Sequence, residues 1–399
     1  MKRLVLIIIY ALLMTAVCKG MSVMTITSKS NTVSFFMAGS GSVTIDWGDG
    51  TPKETYRLRK YFEDDYNHAR SNRDETSVYR FRREYSGISY IKTIVINGEN
   101  ITHLSCGSNG IINLDVSKNA ALEFLTSHCN QLTSLDVSKN TALTYLTCHC
   151  NQLTSLDVSN NTALTYLNCE DNKLTRLDMS NNSALTFLAC NLNQLTRLDV
   201  TKNTALTFLN LSGNQLASLD VSKNTALTEL YCCENKLTSL DVSKNIALKV
   251  LRCSDNKLTM LDLSKNTALL ALYCINNQLS SLDLSENIAL RTLYCHYNQL
   301  MSLNMSKNTL LTTLYCQGND LSSTALNALF VSLHSGKGIN ERDYPYFYSQ
   351  CEFGRVRRDG YCEKAICISE NPGTSRCNRS IAEDKGWIVD TEDCFFGGW

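Results

Sequence analysis

LTYLNCEDNKLTRLDMSNNSA, residues 164–184, decides the fold. Relatives of this stretch recur at a step of 21 residues from Leu104 to Asn319, without one insertion or deletion. Leucines at 104, 125, 146, 167, 188, 209, 230, 251, 272, 293 and 314 keep that step. Asparagines at 109, 130, 151, 172, 193, 214, 235, 256, 277, 298 and 319 keep it with them. A fixed period of this length predicts stacked supersecondary units, none of which can bury its apolar face alone. Leu143, Leu146, Cys148, Leu153, Leu156 and Val158 are the inward positions expected of one unit. The asparagine column falls where a strand bends into a turn. A carboxamide there can both donate to and accept from backbone groups that stacking leaves without partners.

Nine of the 18 cysteines (106, 148, 169, 190, 232, 253, 274, 295 and 316) share one column, with Ser127 and Leu211 standing in elsewhere. The column lies two residues after the inward leucine, so it also points inward. Neighbouring strands about 4.8 Å apart hold in-register Cβ atoms wider than the roughly 3.8 Å a disulfide prefers. These cysteines are therefore expected to pack as small hydrophobes. Thirty-eight basic and 38 acidic residues leave no net charge, which gives no overall bias towards nucleic acid or an anionic membrane.

The pattern LxxLxCxxNxL followed by LxxLDVSxNxA is the leucine-rich-repeat signature with its shorter echo. Its uninterrupted spacing resembles bacterial leucine-rich repeats, as in internalins and related surface antigens of Gram-negative anaerobes. The resemblance covers residues 104–322. It implies a curved, right-handed leucine-rich repeat solenoid with a parallel β-sheet on the concave face and the LDVS halves outside. It also implies binding of a protein or glycan through that concave sheet.

Upstream, MKRLVLIIIYALLMTAVCKG reads as a signal peptide over residues 1–20, its apolar run too short to span a bilayer. Cys18 is a candidate lipidation site, the alternative being cleavage near Cys18 or Gly20. Residues 21–99 alternate in short β runs and predict a small β-sandwich. VTIDWGDGT (43–51) and REYSGISYIKTIVI (83–96) resemble a polycystic-kidney-disease (PKD) domain, with a departure in the charged stretch 57–84. That resemblance implies an extracellular spacer or adhesion module. Asp46 and Asp49 read as turn chemistry rather than a calcium site.

After the repeats at 100–322, residues 323–399 are expected to form an α/β cap over the last unit. STALNALFVSLHSGKG predicts a capped helix ended by Gly336, with Ala325, Leu329 and Leu333 on one face. CEFGRVRRDGYC reads as a hairpin closed by Cys351 and Cys362, and Cys377 with Cys394 forms a second candidate pair. AICISENPG restores the strand, with Ile366, Ile368 and Asn371 in the leucine, cysteine and asparagine columns. A second helix is expected around 378–385, followed by Trp387.

Residues flanking the inward leucine point out of the sheet. Phe124, Tyr145, Tyr166, Phe187 and Phe208 stand just before it, and Tyr231, Tyr273, Tyr294 and Tyr315 just after it. Cross-strand stacking alone would account for such columns, but a long exposed aromatic stripe marks a contact surface. Asn168, Glu170, Asn210, Arg252 and His296 would supply hydrogen bonds around it. In SHCN and CHCN, His128 lies beside His149 and Cys129 beside Cys150. Strand alternation would put the histidines and cysteines on opposite faces, which argues against zinc and for a Cys129–Cys150 disulfide or two unpaired thiols. No nucleophile motif, phosphate loop or carboxylate pair points to an enzyme, and no cofactor or metal is expected. The sequence thus predicts a monomeric, non-catalytic, secreted or cell-envelope binding protein for a protein or carbohydrate ligand. It would touch a membrane only through a lipid anchor. The alternative is a structural envelope spacer.

Overall fold

The computed structural model describes residues 22–60, 79–85, 91–336 and 364–392. The expected signal peptide, Cys18, most of the charged stretch, the Cys351–Cys362 hairpin and Cys394 lie outside them. The chain divides into two compact units, Met1–Leu185 and Thr186–Trp399.

The first unit begins with β1 (Ser22–Ser28), β2 (Thr32–Asp46), β3 (Glu54–Arg57), β4 (Tyr79–Glu84), β5 (Lys92–Ser105) and β6 (Ile111–Asp115). β5 pairs antiparallel with β1 on one edge and β2 on the other; β6 extends β1, while β3 and β4 pair with β2. These described strands are joined edge to edge in one continuous antiparallel sheet. The reason is in β2, whose register shifts at Ala38/Gly39 and Ser40/Val43 bend one long strand so that successive parts serve different neighbours. Its alternating residues Val33, Phe35, Met37, Val43 and Ile45 are buried with Met24, Ile26, Ile94 and Ile96. The WGDG turn is local chemistry. Asp46 accepts from the Gly48 amide at 3.0 Å, and Asp49 accepts from Thr51 and pairs with Arg83 at 2.7 Å.

β5 runs through residue 99 as one strand and hands over directly to the repeats. Leu104 pairs parallel with Leu125 of β7 (Phe124–Thr126) and antiparallel with Met37 of β2 on its other side. β2 therefore covers what would be the open edge of the first turn. β8 (Tyr145–Thr147) and β9 (Tyr166–Asn168) follow in parallel register.

The second unit continues the pattern with β10 (Phe187–Ala189), β11 (Phe208–Asn210), β12 (Glu229–Tyr231), β13 (Val250–Arg252), β14 (Ala271–Tyr273), β15 (Thr292–Tyr294) and β16 (Thr313–Tyr315). All are parallel and in register, leucine beside leucine. In both units the leucines and the column cysteines are buried. Within each unit the column asparagines stitch neighbouring turns together. Asn151 accepts from the Leu132 amide at 3.0 Å and donates to the carbonyls of Ser127 and Cys148, each at 3.0 Å. A second buried column, which includes Asn140, Asn161, Asn224 and Asn245, donates to carbonyls of the preceding turn. The LDVS aspartates cap their own turns, Asp157 accepting from the Ser159 amide at 2.9 Å.

The second unit closes with α1 (Ser323–Ser332), β17 (Lys364–Cys367), α2 (Ser380–Glu383) and β18 (Trp387–Asp390). Ser322 caps α1 by accepting from the Ala325 amide at 3.1 Å. The helix ends at Ser332 rather than at Gly336, because Leu333 turns extended. Its buried face is Leu326, Leu329 and Phe330, so Ala325 is not part of it. The ammonium of Lys385 takes the freed carbonyls of Phe330, Val331 and Leu333, a favourable place for a cation. Ile366 pairs beside Leu314, and Asn371 accepts from the Leu321 amide at 3.2 Å, so the last repeat is restored across the intervening residues. The expected Cys377–Cys394 pair is not formed. Cys377 is a free thiol donating to the Thr374 carbonyl at 3.3 Å, whereas Cys367 is disulfide-bonded.

Candidate functional site

Each strand presents one or two outward side chains flanking a buried leucine, and the in-register pairing puts like beside like. In the first unit Phe124 stacks on Tyr145 with ring centroids 4.3 Å apart, and Tyr145 on Tyr166 at 4.2 Å. His103, missed in the sequence although it lies one period before Phe124, extends the row by stacking on Phe124 at 5.6 Å. Burial alone pushes the His103 imidazole down to about 4, so it stays neutral near pH 7. These rings are half-buried: faces meet faces, and edges remain outside.

In the second unit Phe187 stacks on Phe208 at 4.4 Å. The row then changes column, and Phe208 meets Tyr231 edge-on at 5.2 Å. Glu229 occupies the position that a ring vacates and accepts from the Tyr231 hydroxyl at 2.7 Å. Arg252 continues the new column, its guanidinium between the rings of Tyr231 and Tyr273. Beyond it Tyr273, Tyr294 and Tyr315 stack at 5.0 and 4.6 Å. These three differ from the expectation of an open stripe. They are only 7%, 7% and 4% exposed, because Val250, Ala271, Ile275 and Cys367 close around them as a separate apolar cluster.

The polar residues also divide. Asn168 and Asn210 spend their side-chain oxygens on the amides of Glu170 and Ser212, at 3.0 and 3.1 Å. Glu170 stays half-exposed beside the first row. His296 packs among Tyr294, Tyr297 and Tyr315, and burial pushes it down to about 4. It is a neutral packing residue more than a free hydrogen-bonding group.

No protein-family model matches the chain, and no curated protein matches it in sequence. Among solved structures, the functional domain of InlJ from Listeria monocytogenes is 34% identical over 77% of this chain, with a TM-score of 0.61. An internalin, inlF, from the same species is 20% identical over 68% of the chain with a TM-score of 0.55. A leucine-rich-repeat protein of Leptospira interrogans is 18% identical over 72% with a TM-score of 0.51. Both units contain leucine-rich repeats. Their structural neighbours are bacterial proteins of the internalin kind, and the chain spans 66% of the InlJ domain, 74% of inlF and 83% of the Leptospira protein.

The InlJ domain is described as including a cysteine ladder, and the leucine-rich repeats here carry one. All nine column thiols are buried and free. Burial pushes Cys106, Cys148, Cys190 and Cys316 up to about 12, so they are protonated and unreactive. Outside the ladder, Cys129 and Cys150 are also free thiols rather than a disulfide. The alternation expected to separate them from the histidines fails, because both adopt left-handed backbone, with φ of 50° and 52°. The strand has ended by then, and the turn swings the thiols to the side of His149. The LDVS aspartates do not resemble acid catalysts. Asn304 replaces the carboxylate in one repeat and makes the same bond, to the Ser306 amide at 3.0 Å. Among the described residues no helix is long and apolar enough to cross a membrane.

Proposed function

We propose that the protein is a non-catalytic, extracytoplasmic binding protein that engages a protein ligand through the outward sheet face of its leucine-rich repeats. The observation that carries this reading is the row of half-buried stacked rings, Phe124, Tyr145 and Tyr166 in one unit and Phe187, Phe208 and Tyr231 in the other. Rings held face to face have lost their rotamer freedom before any ligand arrives, and in each unit their edges form an apolar strip with polar neighbours. Such rigid aromatic strips are what protein interfaces use as anchors. Tyr273, Tyr294 and Tyr315 serve this surface as support, since they are already covered. The charge balance leaves recognition to shape and apolar contact.

The test is binding of the full mature chain to an immobilised panel of extracellular-matrix proteins, alongside a glycan array. Tyr145→Ala with Tyr166→Ala is expected to weaken capture of the protein ligand at least 10-fold while far-ultraviolet circular dichroism is unchanged. A wild-type chain that captures nothing on either panel would favour the spacer, for which the tight stacking alone would suffice. Binding confined to the glycan array would replace the protein ligand with a carbohydrate.

A further inference from the structure

The turns after β7, β8 and β9 hold the densest set of metal-ligating groups among the described residues. One ligand atom each from Cys129, His149 and Cys150 lies within 4.8 Å of the others. We propose that Cys129, His149 and Cys150 form a binding site for a thiophilic divalent cation, Zn²⁺, with the carboxylate of Asp171 as the fourth ligand.

The backbone explains why these groups converge. Ser108, Cys129, Cys150 and Asp171 occupy the same place in successive turns, and each has positive φ, between 49° and 58°. That left-handed step ends the alternation of the strand and aims the column to one side. The scaffold is tied down by main-chain bonds from one turn to the next. The amide of Cys129 donates to the His149 carbonyl at 2.9 Å, and that of Cys150 to the Glu170 carbonyl at 3.0 Å. Asp171 holds the next place in this same left-handed column, one turn beyond Cys150.

His149 is oriented as a ligand would be. Its Nδ1 is 2.7 Å from the Thr147 hydroxyl, which leaves Nε2 for a metal; a partner on the second ring nitrogen is the usual support of a zinc-bound imidazole. Its ring is also clamped against His128, with centroids 4.9 Å apart and planes within 7°. Gly107 makes that stack feasible, for a Cβ there would stand 2.2 Å from the His128 ring.

Tetrahedral zinc with Zn–S near 2.3 Å and Zn–N near 2.0 Å needs ligand atoms about 3.5–3.8 Å apart. The observed spread of 4.8 Å closes by side-chain rotation of about 1 Å. The balance is Zn²⁺ plus two thiols giving a zinc bis-thiolate and two protons released to solvent, with a ring nitrogen of His149 and a carboxylate oxygen of Asp171 as the other donors. Cys129 is exposed and Cys150 half-buried, so the ion has a way in. This mixed set of soft sulfur, imidazole and one carboxylate suits zinc over magnesium or calcium.

The experiment uses the full chain, reduced and without a polyhistidine tag, titrated with Co²⁺ as a spectroscopic stand-in and then with Zn²⁺. One equivalent of Co²⁺ is expected to give a thiolate-to-cobalt charge-transfer band and the d–d bands of tetrahedral cobalt, both displaced by Zn²⁺. Cys129→Ser and Cys150→Ser should each weaken binding at least 100-fold, and His149→Ala and Asp171→Asn at least 10-fold. Cys233→Ser, a thiol change in another repeat, should leave the titration unchanged. Circular dichroism of each variant separates loss of ligand from loss of fold. Two results overturn the proposal. One is absence of the charge-transfer band while both thiols titrate as free; the other is binding that survives Cys129→Ser, which marks adventitious histidine coordination.

Discussion

The guanidinium carbon of Arg252 lies 4.2 Å from the ring centroid of Tyr273. On its other side Tyr231 stands at 5.2 Å, so one cation bridges two aromatic strands where the row of rings would otherwise be interrupted. A planar cation between two π faces contributes about 1–2 kcal/mol when partly desolvated. Arg252→Ala is therefore expected to lower stability by about that much, read as a fall in the urea midpoint. Arg252→Lys should recover part of the loss, because it keeps the charge and gives up the planar stack. Equal midpoints for all three proteins would show that the bridge contributes nothing.

The two polar columns predict opposite responses to similar changes. Asn151→Leu keeps the volume but strips the Leu132 amide and the Ser127 and Cys148 carbonyls of partners. At about 1–3 kcal/mol for each buried group left unsatisfied, it should destabilise by roughly 3 kcal/mol or more. Asp157→Asn should be nearly neutral, since Asn304 already holds the equivalent turn with a carboxamide. Hydrogen bonds from Ser159 hold the Asp157 carboxyl below its ordinary value. Its small contribution is thus present above the unfolded pKa of about 3.9 and fades as pH falls through the folded one. Chemical denaturation of the two variants at pH 7 and pH 3 separates the cases.

How much of this was legible in the sequence depended on whether a physical role demanded one residue type. The inward leucines and the Asn151 column did, because only an apolar side chain or a carboxamide serves there, and Ile366 and Asn371 were recognisable far beyond the last full repeat. The second asparagine column was just as regular at Asn140, Asn161 and Asn224 and stood in the LDVSxNxA signature, but spacing alone did not show that its carboxamides are buried and bonded to the preceding turn. Least legible was the left-handed step at Cys129 and Cys150. Ser, Cys, Asp, Leu, Glu, Asn and Tyr all occupy that column, and only Gly213 and Gly318, both with positive φ, signalled a conformation that glycine prefers. Burial of Tyr273, Tyr294 and Tyr315 was equally hidden, since it comes from neighbours such as Val250 and Ile275 closing over the face, a three-dimensional event that column spacing does not encode.

His296 should make stability depend on pH in a defined window. Burial among Tyr294, Tyr297 and Tyr315 takes its imidazole from 6.5 to about 4. Between those values the unfolded chain binds the proton and the folded one does not. Stability is therefore fully present above about pH 6.5 and declines as pH falls towards 4, by up to roughly 1.4 kcal/mol per pH unit from this group. The carboxylates act below that window, so the two contributions separate. His296→Gln should reduce the slope of denaturation midpoint against pH between 6.5 and 4, leaving the part that the buried His103 contributes. A variant with the wild-type slope would mean that His296 takes up its proton without unfolding anything.

The cap offers a sharper packing test. A Cβ on Gly373 would stand 2.1 Å from the Ser323 amide nitrogen and 2.2 Å from the Ser322 carbonyl carbon, at the start of α1. Those are backbone atoms in the capped first turn, with Ser322 accepting from Ala325, so nothing flexible can yield. Gly373 also donates to the Leu321 carbonyl at 2.9 Å, which pins it from the other side. Gly373→Ala must push α1 off the last repeat or break that bond, and about 2–3 kcal/mol of destabilisation is expected. Gly336→Ala is the matched control, where the added methyl meets only a His334 ring nitrogen at 3.3 Å. Protease susceptibility after residue 322 should rise in the first variant and not in the second. Equal susceptibility would mean that α1 is not held where Gly373 admits it.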